Sequence, residues 1–231
     1  MELGLNEILL TNNSLIVKEL KVIKYMELVK LDINKFDVDI IAGLIYETDV
    51  KTFDFYFKDK HNAVNKIKKL IENGNNSIGY ENIYVVSGSG KQVYGILVVS
   101  IGQEESIKEN FKLYFKIFNW TDAFKMVLLD IVDMWFGAKL NEDDLYLATV
   151  AVEYKCRGKG VGKFILKKSM ELAHKKGCKR VFLDVDRDNI PAFNLYKQFG
   201  FKIFSKKIIP WFGGIKGIYN MEYKLNRGDK G

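Results

Sequence analysis

The stretch that most narrows the fold runs from Leu145 to Phe201. Tyr146-Leu147-Ala148-Thr149-Val150-Ala151-Val152 reads as a strand, and Val161–Lys175 has helical spacing. A second strand follows at Val181–Val185. A second helix follows at Ile190–Phe199, with Pro191 in the first turn, where proline is tolerated. Strand, helix, strand in this order predicts a parallel pair joined by a right-handed crossover. Between the first strand and its helix lies Arg157-Gly158-Lys159-Gly160-Val161-Gly162-Lys163. Glycines there let backbone N–H groups approach a ligand, and the helix start adds partial positive charge. A pyrophosphate suits such a junction. The mononucleotide loop G-x-x-x-x-G-K-[ST] fails, because Phe164 follows Lys163. The dinucleotide spacing G-x-G-x-x-G fails too, because the glycines here run G-x-G-x-G.

Charge concentrates at the same place. From Lys155 to Arg180 there are ten basic residues and one acid, Glu171, so this segment carries +9 of a net +7. The rest of the chain is therefore about −2. A field bound to one glycine loop and its helix suits a small polyanion better than a nucleic acid. Phe164 is the only aromatic in the cluster, and nucleic-acid surfaces interleave several. The lysines farther along the helix read most simply as a solvated face.

Other function classes are excluded by composition. The longest apolar run, Phe124–Phe136, contains Lys125, Asp130 and Asp133, so no membrane span is expected. Met1–Lys24 lacks a clean apolar core and is a poor secretory leader. Cys156 and Cys178 are the only cysteines and are expected to be free thiols in a reducing cytoplasm. His174 and Cys178 have i,i+4 spacing, but two histidines and two cysteines are too few for a metal site to be expected.

The remaining pattern predicts one α/β domain with a mixed sheet. A strand starts near Met26, and Asp37 caps a helix through Ile45. An aromatic cluster follows at Phe53–Phe57. Asn62 is read as the cap of a helix ending near Asn73-Gly74. Ile83–Val86 and Val93–Ile101 form a hairpin around Ser87–Lys91. Residues 104–138 read as a helical insertion, broken near Asn119–Thr121. Its second helix is apolar almost all round and is expected to be buried. It should pack over the sheet or form the interface of a homodimer. Phe201–Phe204 and Ile218–Leu225 are the last strands. The domain is read as 26–225, with an extension over 1–25 and a tail over 226–231.

Two motifs resemble one family. Arg157-Gly158-Lys159-Gly160-Val161-Gly162 resembles the R/Q-x-x-G-x-G/A loop of the GCN5-related N-acetyltransferase (GNAT) superfamily. Asn189-Ile190-Pro191-Ala192-Phe193-Asn194-Leu195-Tyr196, with Phe199-Gly200-Phe201, resembles its second signature. The resemblance covers about Met26–Leu225, and the insertion departs from the minimal fold. It implies a central mixed sheet flanked by helices, and acetyl-CoA as co-substrate with no metal. Val150, Ala151 and Val152 would pair with the pantetheine arm. Arg157, Gly158, Lys159, Gly160, Val161, Gly162 and Lys163 would hold the pyrophosphate, and Asn189 would meet the pantetheine end.

The implied chemistry sets further requirements. A lysine-like amine at pH 7 is neutral in only about one molecule in 2,500, so a base must take its proton. Tyr196 stands where the family commonly places the acid that protonates the thiolate. Asp184 stands where some members carry a glutamate base, and Tyr146 where others do. Glu142, Asp143 and Asp144 could act instead through water. The acceptor is a primary amine on a small molecule or a protein N-terminus, between Thr48–Phe57 and Lys206–Gly217. A non-catalytic acyl-CoA sensor of the same fold is the alternative.

Overall fold

The computed structural model describes residues 25–88, 91–102, 107–136, 140–211 and 214–225. Residues 1–24, the tail from 226, and Phe212-Gly213 lie outside them. Three early helices each start on an aspartate that accepts from a backbone N–H two or three residues on. Asp37 caps α1 (Val38–Tyr46), Asp49 caps α2 (Val50–Phe57) and Asp59 caps α3 (Lys60–Asn73). The aromatic cluster is thus a helix, with Tyr56 and Phe57 inward. Asn62 is not the cap expected of it. It already lies in the first turn of α3 and donates its N–H to Asp59.

Seven strands build one mixed sheet: β1 (Glu27–Lys30), β2 (Ile83–Ser87), β3 (Val93–Ile101), β4 (Asp144–Val152), β5 (Arg180–Asp186), β6 (Lys202–Trp211) and β7 (Gly214–Lys224). Their order is β1-β2-β3-β4-β5-β7-β6, and β4 and β5 are the parallel pair. Two-residue alternation sends β3 side chains to two cores. Ile96 and Val98 join α1–α3 on one face. Leu97 and Val99 join α6 (Val161–Lys175) and α7 (Ile190–Phe199) on the other.

Two expectations need correction. Residues 206–211 and 214–217 are not a loop but the outer half of a long hairpin between β6 and β7. The run Lys207-Ile208-Ile209 favours strand, and Pro210 is tolerated because β6 is the sheet edge. The insertion forms α4 (Ile107–Ile117) and α5 (Trp120–Phe136), but α5 is not buried all round. Ala123 and Met126 face the core, while Trp120, Phe124, Leu128 and Ile131 are exposed. Through Ala123 and Met126 α5 packs on this core beside α2, and Lys66 of α3 pairs with Asp122 at 3.2 Å. The side chain of Trp135 lies outside the described residues. Among those residues, no helix is long and apolar enough to cross a membrane.

Candidate functional site

The sheet splits where the glycine loop begins. β4 follows β3 along its whole length, with one irregularity. Val98 opposes Thr149 and Val99 opposes Leu147, so Ala148 is an extra residue without a partner. A bulge of this kind bends its strand and sharpens the twist. β4 pairs with β5 only from Asp144–Tyr146 to Arg180–Phe182. Beyond that the strands diverge, and the edge of β4 facing away from β3 is open.

The closed end of the split is pinned. Arg180 Nε donates to Asp144 Oδ1 at 2.9 Å, its NH2 donates to Asp144 Oδ2, and its NH1 donates to Glu222 at 3.0 Å. Tyr146 and Phe182 stack at 5.2 Å across the last paired position. Burial opposes charge on Asp144, but the Arg180 hydrogen bonds outweigh it and hold the carboxyl below the usual range. Asp144 is therefore a fixed counter-ion. Asp143 pairs with Lys179, and neither residue lines the cleft, nor does Glu142. None of the three upstream acids, Glu142, Asp143 and Asp144, lines the cleft.

The open end is a cleft of about 800 Å³, within the range of small-molecule sites. Tyr196, Asp184, Val150–Val152, Arg157, Gly158, Gly160–Lys163 and Asn189, all expected from the sequence, line it, and Lys159 does not. At one end, Gly158 (φ 77°) and Gly160 (φ 80°) take left-handed conformations and turn the chain into α6. Gly160 sits at the helix N-cap with no side chain closing it, so the first N–H groups of α6 are free for a ligand. Gly162 serves packing instead: a Cβ there would meet Leu195 Cδ2 at 2.9 Å. Arg157 crosses the mouth, with Nε on Val152 O at 3.0 Å and NH2 on Glu47 at 3.2 Å. Asn189 caps α7 by accepting from Ala192 N at 3.2 Å.

The other end is acidic and aromatic. Asp184 receives the Tyr146 hydroxyl at 3.2 Å and the Asn220 amide on its other oxygen. The two places where a base was sought are thus joined by one hydrogen bond. Burial raises the pKa of Asp184, while Asn220, Tyr146 and Lys207 pull against that rise. Tyr196 is 7% exposed, and burial pushes its phenol up to about 12. Among the described residues no group hydrogen-bonds to its hydroxyl. Cys156 also lines the cleft, and burial raises its thiol pKa, which keeps it protonated.

Four charged lining residues were not singled out from the sequence: Glu47, Asp49, Asp186 and Lys216. Lys216 Nζ lies 2.7 Å from Asp49 and 3.4 Å from Asp186. Asp49 and Lys216 fall inside the two segments read as the acceptor wall, but nothing local marks them as neighbours.

Residues 103–201 match the family model described as "Acetyltransferase (GNAT) family". Over these residues the chain is similar to the GNAT family. Its curated relatives include a Bacillus subtilis protein named for [ribosomal protein bS18]-alanine N-acetyltransferase activity, 33% identical over 64 residues. Another, the Bacillus subtilis spermine/spermidine N(1)-acetyltransferase, is 37% identical over 59 residues. These matches cover 28% and 25% of this chain and only 42% and 39% of the relatives. An N-acetyltransferase from Staphylococcus aureus Mu50 has the same fold. Its TM-score is 0.61 at 19% identity, over 84% of this chain and 99% of that one. The split between β4 and β5 is thus the cleft of a GNAT fold.

Proposed function

We propose that this chain is an N-acetyltransferase moving the acetyl group of acetyl-CoA to a primary amine by direct attack within a ternary complex. The observation that carries the reading is the cleft itself. It joins an uncapped, glycine-turned helix start at one end to a buried carboxylate and phenol at the other. The CoA pyrophosphate would lie on Gly158–Lys163 and Arg157. The pantetheine arm would pair with the open edge of β4 at Val150–Val152, and its far end would pass Asn189.

The reaction needs little more. Asp184 takes a proton from the acceptor ammonium, directly or through water, and its raised pKa suits a base. The freed nitrogen lone pair attacks the thioester carbon, the N–C bond forms and the C–S bond breaks. The nitrogen's second proton ends on the leaving sulfur. Tyr196 stays neutral and donates a hydrogen bond to that sulfur as its charge develops. Cys156, held as a thiol, is a poor relay, which favours direct attack over an acetyl-enzyme. The acceptors in the relatives' names, an alanine terminus and spermine or spermidine, are both amines. Both thiols are buried and free, in keeping with a reducing cytoplasm.

Calorimetric titration with acetyl-CoA, together with CoA release over a panel of amines, tests the reading. Binding with turnover is the expected result. Binding without turnover on any amine would favour the sensor, and no binding would overturn both.

A further inference from the structure

Three segments distant in sequence meet at the acidic end of the cleft. Asp49 lies between α1 and α2, Asp186 ends β5, and Lys216 projects from β7. The Lys216 ammonium sits between the two carboxylates at 2.7 and 3.4 Å, with its side chain only 21% exposed. Burial works against that charge, but the carboxylates outweigh it and raise the lysine pKa. What this pair of carboxylates binds is therefore visible: a primary ammonium, partly withdrawn from water.

Two further observations make the place a ligand site and not only a structural ion pair. It lies inside the cleft, and Tyr196, a residue 7% exposed whose hydroxyl has no hydrogen-bond partner among the described residues, lines the same cleft. Carboxylates also outnumber the lysine. Asp184 stands two residues before Asp186 on the same face of β5, and Glu47 follows at the mouth. Among the described residues no group of three or more acids, histidines or cysteines could hold a metal ion. With Glu47 already paired to Arg157 and Lys207 acting on Asp184, the partner on view for Asp49 and Asp186 is the Lys216 ammonium, an organic cation.

We propose that Asp49 and Asp186 form a distal ammonium subsite, held by Lys216 until the acceptor arrives, and that the acceptor is a diamine or similar dication. This rests on the acetyl-transfer reading. Its second ammonium takes the place of Lys216, whose flexible stem lets the displaced charge move out to water. Exchange of one ammonium for another leaves the carboxylate pair neutralised, so no buried charge is stranded. Geometry also sets the length. Two residues along a strand span about 7 Å. With the reacting nitrogen beside Asp184 and the other beside Asp186, an alkyl chain of about four carbons fits.

The test compares butylamine with α,ω-diamines of increasing length, by CoA release and by calorimetry on the CoA-loaded protein. kcat/KM for 1,4-diaminobutane should exceed that for butylamine by roughly tenfold to a hundredfold, the worth of a charge-assisted hydrogen bond. Asp49→Asn should bring that ratio toward one. Asparagine still caps α2, so the fold should hold. Lys216→Met empties the subsite and should raise the ratio. Equal rates on both amines, or a ratio indifferent to Asp49→Asn, would overturn the subsite and leave acetyl transfer standing. Tight, Asp49-dependent binding of 1,4-diaminobutane without CoA release would uphold the subsite and overturn transfer.

Discussion

Replacing Tyr196 with phenylalanine removes one oxygen and leaves the ring in place against Phe201. Two magnitudes are in competition. A phenol acting as a full general acid is worth about 10²–10⁴ in rate. Burial, however, raises this phenol to about 12, whereas an ordinary thiol titrates near 8.5. Complete proton transfer to such a thiolate is uphill by about 3.5 pKa units, or about 5 kcal/mol. Donation of a hydrogen bond to the developing charge costs nothing of the kind and contributes about 1.5–3 kcal/mol. The expected loss in kcat is therefore roughly 10- to 150-fold, below most of the general-acid range. A slow acceptor keeps chemistry rate-limiting during the measurement. Acetyl-CoA affinity should be unchanged by calorimetry, and thermal stability should not fall, because the lost hydroxyl has no hydrogen-bond partner among the described residues. The parent's rate should also show no basic limb from this phenol below about pH 10. An unchanged kcat would remove Tyr196 from the reaction. A loss beyond about 10³, with a basic limb that vanishes in the variant, would refute the hydrogen-bond account and restore the acid.

Asp184→Asn should lower kcat by roughly 10²–10⁴ and flatten the acidic limb of the rate profile, with acetyl-CoA binding spared. Its folded pKa is raised, so its contribution favours folding below the ordinary carboxylate range and is lost as pH rises through the folded value. The variant should therefore gain thermal stability at pH 7 relative to the parent more than at pH 4, and equal shifts at both would count against burial as the cause. Arg157→Glu should weaken acetyl-CoA binding, and Glu47→Gln should strengthen it modestly by freeing Arg157 from its 3.2 Å pair; calorimetry reads both. Gly160→Ala forces a side chain into φ 80° and should cost about 1–2 kcal/mol in denaturant titration without any clash. Gly162→Val should instead push against Leu195 and disturb the packing of α6 on α7, so combining it with Leu195→Ala should recover stability.

Elements that carry their own start and stop signals were legible in the sequence. α6 and α7 match their expected spans because Gly160, Asn189, Pro191 and Gly200 mark their ends locally. Residues of the glycine loop and of the second signature likewise line the cleft. The split in the sheet was not legible. Leu147-Ala148-Thr149 alternates like its neighbours, and the bulge exists only in the register with Val98 and Val99. The acceptor end was read only as two segments, because Asp49 and Lys216 are 167 positions apart. The burial of α5 was overestimated because apolar content does not say which side of a helix finds a neighbour. Here the side with Ala123 and Met126 did, and Trp120 and Phe124 were left outward.

The uneven charge of the chain has a physical use in this geometry. Acetyl-CoA is a polyanion and an amine acceptor is a cation, so a cleft of uniform sign would attract one and repel the other. Here Arg157, Lys163 and the free N–H groups of α6 occupy one end. Asp49, Asp184 and Asp186 occupy the other. On the proposed reading each substrate would be drawn to its own end and resisted at the opposite one, which would orient both before any close contact forms. The ends differ in shielding as well. The Arg157–Glu47 pair is exposed by 54% and 39%, so salt screens it, whereas the Lys216 ammonium is held deeper. The donor contact is thus easily exchanged with solvent ions, and the acceptor contact is the more discriminating. On the acetyl-transfer reading proposed above, the thioester and the amine would meet where these fields join, in the part of the cleft lined by Ala148, Asp184 and Tyr196.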